Sequence, residues 1–251
     1  MTMRDQHGTR ASIRRAGGQG RARSATPAER FLPEVQALRA LAVGLVLVFH
    51  LWPHALPGGF LGVDVFFIIS GYLISSHLLR EVETRGRVAL GAFWVRRIRR
   101  ILPAAFVVLL ACVIITAFAV PGPMQSSSLL QIGAAGIYVL NWVLASNSVD
   151  YLAADSPATL VQHFWTLSVE EQFYIVWPLL LVVVLLLAKW MSRGRTTPRS
   201  RLVLAAWAAF AATTASFVYS LWLTQYAPSL AYFDTFGRAW EFGIGASVAA
   251  I

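Results

Sequence analysis

Arg39 and His50 belong to the apolar run LRALAVGLVLVFH, residues 38–50, with nothing between them but apolar residues and one glycine. A helix turns about 100° per residue, so this spacing puts both on one face, about 16 Å apart along the axis. Ionisable side chains inside an apolar span are costly and normally face a protein interior or an aqueous cavity. Histidine, with an ordinary pKa near 6.5, suits a base acting on a substrate hydroxyl. The plainer alternative has Arg39 snorkelling to the interface and His50 capping the helix near Pro53.

Two further motifs carry comparable chemistry. FWVRRIRRILP sets Arg96, Arg97, Arg99 and Arg100 immediately before an apolar run. Four guanidinium groups in five residues can clamp several phosphates through paired hydrogen bonds, although a membrane anchor needs the same charges. HFWTLSVEEQFYIVWP places Glu170 and Glu171 at the mouth of another run, with His163 and Trp165 beside them. Adjacent helical residues point about 100° apart, so only one glutamate faces a polar interior easily. The other is expected at the surface or against an arginine. Asp64 sits in the glycine-rich start of a third run and needs a partner if buried. Arg238 and Glu241 are three residues apart, close enough to pair on a helix, which would be a structural ion pair as readily as a functional one.

The elements that must position these groups are apolar helices. The 251 residues are 57% hydrophobic and 13% charged, and mean hydropathy is +0.61. Such a composition with runs near 20 residues predicts an all-α, polytopic transmembrane helix bundle. The runs cover residues 38–50, 60–79, 101–120, 173–188 and 202–223, with a weaker one at 129–145 and a last one at 232–251. The last is still apolar where the sequence stops, which suggests a membrane domain continuing further.

Net charge is +9, but 19 of the 21 Lys and Arg residues fall within 4–30, 80–100 and 189–201. This is the positive-inside pattern and places those clusters, with the N-terminus, on the cytoplasmic side. It accounts for the charge without nucleic acid. Residues 1–30, rich in Arg, Gly, Ser and Ala, read as a disordered basic cytoplasmic tail with no apolar signal segment. Cys112 is the only cysteine, so no disulfide framework or thiol metal site is expected, and no metal is implied elsewhere. One conflict stands: an even number of crossings must separate the clusters at 80–100 and 189–201, yet three apolar runs lie between them. Gln131 and Asn141 make 129–145 the weakest spanning segment.

FLPEVQALRALAVGLVLVFH, GGFLGVDVFFIISGYLIS, FWVRRIRRILPA and HFWTLSVEEQFYIVWPLLL occur in this order and together resemble the membrane acyltransferase 3 family of bacterial O-acyltransferases. The resemblance runs from about Phe31 to the last residue. It implies that Arg39 and His50 are the signature of the first helix and that Arg96 to Arg100 are the arginine motif after the second. It also implies transfer of an acyl group, usually acetyl from acetyl-CoA, to the hydroxyl of a cell-envelope or exported carbohydrate at the inner (cytoplasmic) membrane. Modification of a small macrolide-type acceptor is the alternative within the family. Members have around ten membrane helices, so residues 31–251 would be an incomplete domain, and close relatives often continue into an SGNH-type domain. With Arg39 at the cytoplasmic end, His50 lies in the outer half of the membrane, where Trp52, Phe60 and Tyr151 could stack on a sugar ring. A transporter would also explain Asp64, Glu170 and Arg238, but not the dense arginines beside one span; a scaffold would leave His50 unexplained.

Overall fold

The computed structural model describes residues 32–52, 54–151, 159–192, 195 and 197–250. The proposed tail, residues 1–30, lies outside these, as do Pro53 and the side chain of Tyr151. Residues 34–251 form one compact unit. Its described part is helical, without strands: α1 (Pro33–Leu51), α2 (Gly62–Arg85), α3 (Leu90–Ala119), α4 (Gly122–Gly136), α5 (Leu140–Tyr151), α6 (Phe164–Met191), α7 (Pro198–Tyr226), α8 (Pro228–Phe233) and α9 (Thr235–Ala249). A 3₁₀ turn, Pro57–Leu61, leads into α2.

Among the described residues, five helices are long and apolar enough to cross a membrane: α1, α2 with its 3₁₀ lead, α3, α6 and α7. The sheath of exposed apolar side chains, such as Leu41, Phe106, Phe118, Leu186 and Trp207, suits lipid surroundings. Residues 129–145 do not form one helix. They are divided between α4 and α5, which break at Tyr138, a residue held at φ 58°. The carbonyl of Tyr138 accepts from Gln172 Nε2 at 2.8 Å, and Asn141 donates to the Phe233 carbonyl and to Thr235 Oγ1. Asn141, one of the two polar residues that weaken this run, thus ties it to α6 and to the α8–α9 junction, while Gln131 accepts from Thr159 Oγ1. Only α3 and α6 remain as long helices between the two basic clusters, an even number, and the topological conflict disappears.

Contacts fix the directions. His50 meets His163 at the start of α6, while Arg39 lies within electrostatic reach of Glu170 further along, so α1 runs antiparallel to α6. Ser70 pairs with Glu170 and Ser75 with Trp177, so α2 runs parallel to α6. The last apolar run is broken at Asp234, between α8 and α9, and α9 is its 15-residue helix. It lies along α2 with almost no gap: a Cβ on Gly71 would run into the Phe242 carbonyl, and one on Gly245 into the Ile68 carbonyl. Small residues of this kind let membrane helices pack backbone to backbone. The seam is filled by stacked rings, with Phe242 4.6 Å from Phe67 and 4.3 Å from Phe173.

Candidate active site

The ionisable residues singled out by the sequence occupy three levels along α6. At the first, α1 ends beside the turn preceding α6. His50 Nδ1 lies 2.8 Å from the Val46 carbonyl, which can only accept, so this nitrogen carries the hydrogen. In the neutral ring Nε2 is then a lone pair, and it faces His163 Nε2 at 3.2 Å, which donates. Partial desolvation, and after it the charge of His50, push the His163 imidazole below the usual histidine range. His163 is noticeable in the sequence beside the glutamates, but nothing there pairs it with a residue 113 positions earlier.

At the second level Asp64, Arg238, Glu241 and Trp165 come together. Arg238 Nη2 binds Asp64, and its Nε lies 3.0 Å from Glu241 Oε1. The guanidinium also lies 5.6 Å from the Phe67 and Tyr232 ring centres and 5.8 Å from that of Trp165, within cation–π range. The i,i+3 pair is as expected, and the partner that Asp64 needs is the same arginine. Burial of Glu241, 1% exposed, is tolerable because a cation answers it.

The third level lies deeper along α6. Ser70 donates to Glu170, and the charges of Arg97 and Arg39 act on the same carboxylate. Arg97 lies over the Tyr174 ring at 4.7 Å. Pro178 explains this placement. A proline inside a helix leaves the carbonyl four residues earlier without its donor. Here that carbonyl belongs to Tyr174, and Trp94 Nε1 of α3 takes it at 3.1 Å. Arg97, three residues past Trp94, shares that side of α3 and falls onto the Tyr174 ring.

The remaining calls on this level are corrected in part. Glu171 is neither at the surface nor in an ion pair among the described residues; it is half-buried, and Oε1 has no hydrogen-bond partner. The four arginines do not converge. Arg97 turns inward, Arg96 lies 3.0 Å from His77 Nε2, and Arg99 and Arg100 are exposed. At about 100° per residue the four spread over about 160° of the helix surface, and different neighbours draw Arg96 and Arg97 apart. Trp52 and Phe60 are exposed. Ser70, Tyr174 and His77 were missed; Tyr174 alone carried a signal, being one helical turn past Glu170.

A bundle of membrane-length apolar helices with paired charges in its interior has the build of a multi-pass membrane protein. The family model described as an acyltransferase domain matches residues 32–251, and the chain belongs to the acyltransferase 3 family. It is 33% identical over 222 residues to the peptidoglycan O-acetyltransferase OatA of Listeria monocytogenes, covering 88% of this chain and 34% of that protein. It is 41% identical over 157 residues to the O-acetyltransferase OatA of Staphylococcus aureus (strain NCTC 8325 / PS 47), covering 62% of this chain and 26% of the relative. The chain thus spans about a third or less of the length of these relatives. No solved structure matches it.

Proposed function

We propose that the protein transfers an acyl group, acetyl in the first instance, from an acyl-CoA to a hydroxyl of a cell-envelope carbohydrate. The observation that carries this reading is the His50–His163 pair, whose tautomers are set by the Val46 carbonyl. An acceptor hydroxyl delivered there meets a lone pair on His50 Nε2 once His163 turns aside, or on His163 Nδ1. As its proton leaves, the oxygen attacks the thioester carbonyl; the new C–O bond forms, the C–S bond breaks, and the coenzyme leaves as its thiol after taking a proton. Arg99 and Arg100, exposed beside the inward-turned Arg97, have the chemistry for the donor's phosphates. Between the arginine level and the histidines, the thioester arm covers about 16 Å, the rise from Arg39 to His50.

Family membership favours acyl transfer over transport, and the name of the Listeria relative supports an envelope glycan over a small-molecule acceptor. On the positive-inside expectation the arginine level is cytoplasmic, the acyl-CoA side, and the histidine end faces outward. The test is His50→Ala in the full-length protein with acetyl-CoA and an envelope glycan acceptor. Acetyl transfer is expected to vanish while the protein still inserts in the membrane. Transfer at the wild-type rate would overturn the role of His50.

A further inference from the structure

Away from the histidines, a cavity of about 400 Å³ opens where the α2–α3 turn, the end of α6 and the start of α7 meet. Arg85, Arg87, Lys189 and Arg201 line it on one side, and Val182, Leu185 and Leu186 form an aliphatic wall on the other. A cavity half cationic and half aliphatic, at the end of membrane-length helices, matches a phosphorylated amphiphile and not a free ion.

Two roles for the cations need no ligand. Arg85 and Lys189 lie in the last turns of α2 and α6, where positive charge complements the helix dipole. Arg85 also pairs with Glu81 at 3.1 Å. Positive-inside topology is a third, yet Arg87 and Lys189 make no ion pair with a described residue. Arg201 reaches the Gly86 carbonyl at 3.4 Å, yet it rises from the start of α7, a helix with no acidic residue in its first turn. Cations at a helix N-terminus oppose the dipole, and an anion held there is favoured by both. Basic pockets between membrane helices are suited to acidic lipid headgroups.

We propose that this cavity is a binding site for an anionic phospholipid, with the phosphate among Arg87, Lys189 and Arg201 and an acyl chain along Val182 and Leu186. The site rests on the membrane-spanning reading and not on acyl transfer, so its test involves no turnover. Thermal unfolding of the full-length protein in neutral detergent is followed with added phosphatidylglycerol, phosphatidylcholine or free coenzyme A. Phosphatidylglycerol is expected to raise Tm by about 5 °C near saturation, and phosphatidylcholine hardly at all. Arg87→Gln with Lys189→Gln should lose more than half of that shift, and Arg87→Lys with Lys189→Arg should keep it. An equal shift with phosphatidylcholine, or an undiminished shift in the glutamine variant, would overturn the site. Competitive loss of the lipid shift on adding coenzyme A would overturn it as well, by reassigning the cavity to a nucleotide phosphate.

Discussion

Trp94→Phe tests how Pro178 positions α3. In the wild-type protein Trp94 Nε1 is the donor that reaches the Tyr174 carbonyl, at 3.1 Å, because Pro178 supplies none. Phenylalanine preserves most of the apolar contact and deletes the donor, so a half-buried carbonyl is left alone. Side-chain hydrogen bonds between membrane helices average about 0.6 kcal/mol and reach about 1.7 kcal/mol. In a Pro178→Ala background, residue 178 regains an N–H aimed at the Tyr174 carbonyl, and the indole becomes dispensable. The two substitutions are therefore expected to couple by about 0.6–1.7 kcal/mol, a factor of about 3–18 in the unfolding equilibrium. The assay is reversible unfolding of the full-length protein in mixed micelles for the four members of the cycle. Because the same contact sets where α3 carries Arg99 and Arg100, Trp94→Phe should, on the proposed function, also raise the KM for acetyl-CoA, and Pro178→Ala should reduce that effect. A coupling below about 0.3 kcal/mol, the usual noise of additivity, would refute the argument.

Arg238→Met leaves Asp64 and Glu241 without their cation and is expected to cost about 3–5 kcal/mol, while adding Asp64→Asn and Glu241→Gln recovers much of it; unfolding in micelles measures both. Gly71→Leu should separate α2 from α9 and sharply lower the yield of folded protein, since the Phe242 carbonyl leaves no room for a Cβ; size-exclusion chromatography reads the outcome. His163 is held below the usual histidine range, so it protonates more readily when unfolded. The stability this contributes is present above about pH 6.5 and is lost as pH falls through the lowered folded value. His163→Gln should flatten that acid-side decline in Tm; an unchanged decline would assign it to other groups.

The apolar runs were legible because lipid demands length and hydrophobicity, which composition records directly. The weak run at 129–145 was legible only as weak: Gln131 and Asn141 mark it, but the Gln172 bond that fixes the break at Tyr138 comes from another helix. Local pairs were within reach, as Arg238 and Glu241 show, since helical periodicity sets which neighbours meet. Long-range partners were not. Asp64 needs a cation on chemical grounds, and nothing in its neighbourhood names one 174 residues away. The arginine motif was legible as a cluster but not in its division: the helix sends Arg96 towards His77 and Arg97 towards Tyr174, and leaves Arg99 and Arg100 exposed.

The three levels differ in how completely their charges are answered, and that difference separates support from chemistry. Arg238 has two carboxylates and three aromatic rings around it, although its Nε and Glu241 Oε2, both buried, make no hydrogen bond among the described residues. Its work is to hold α2, α6 and α9 in register beneath the histidines. At the deeper level Glu170 is engaged by Ser70 and by the charges of two arginines, whereas Glu171 keeps a buried oxygen with no partner. His50 and His163 are different again, because their rings bond each other and, among the described residues, the one further partner is the Val46 carbonyl on His50. Both rings are exposed, and a bond between two imidazoles has no opposite charge behind it, unlike the contacts of the other two levels. A hydroxyl that replaces one imidazole at the other's lone pair loses little and gains a base. On the proposed function, an incoming acceptor would therefore enter at the histidines, where its exchange into the network leaves no buried charge unanswered.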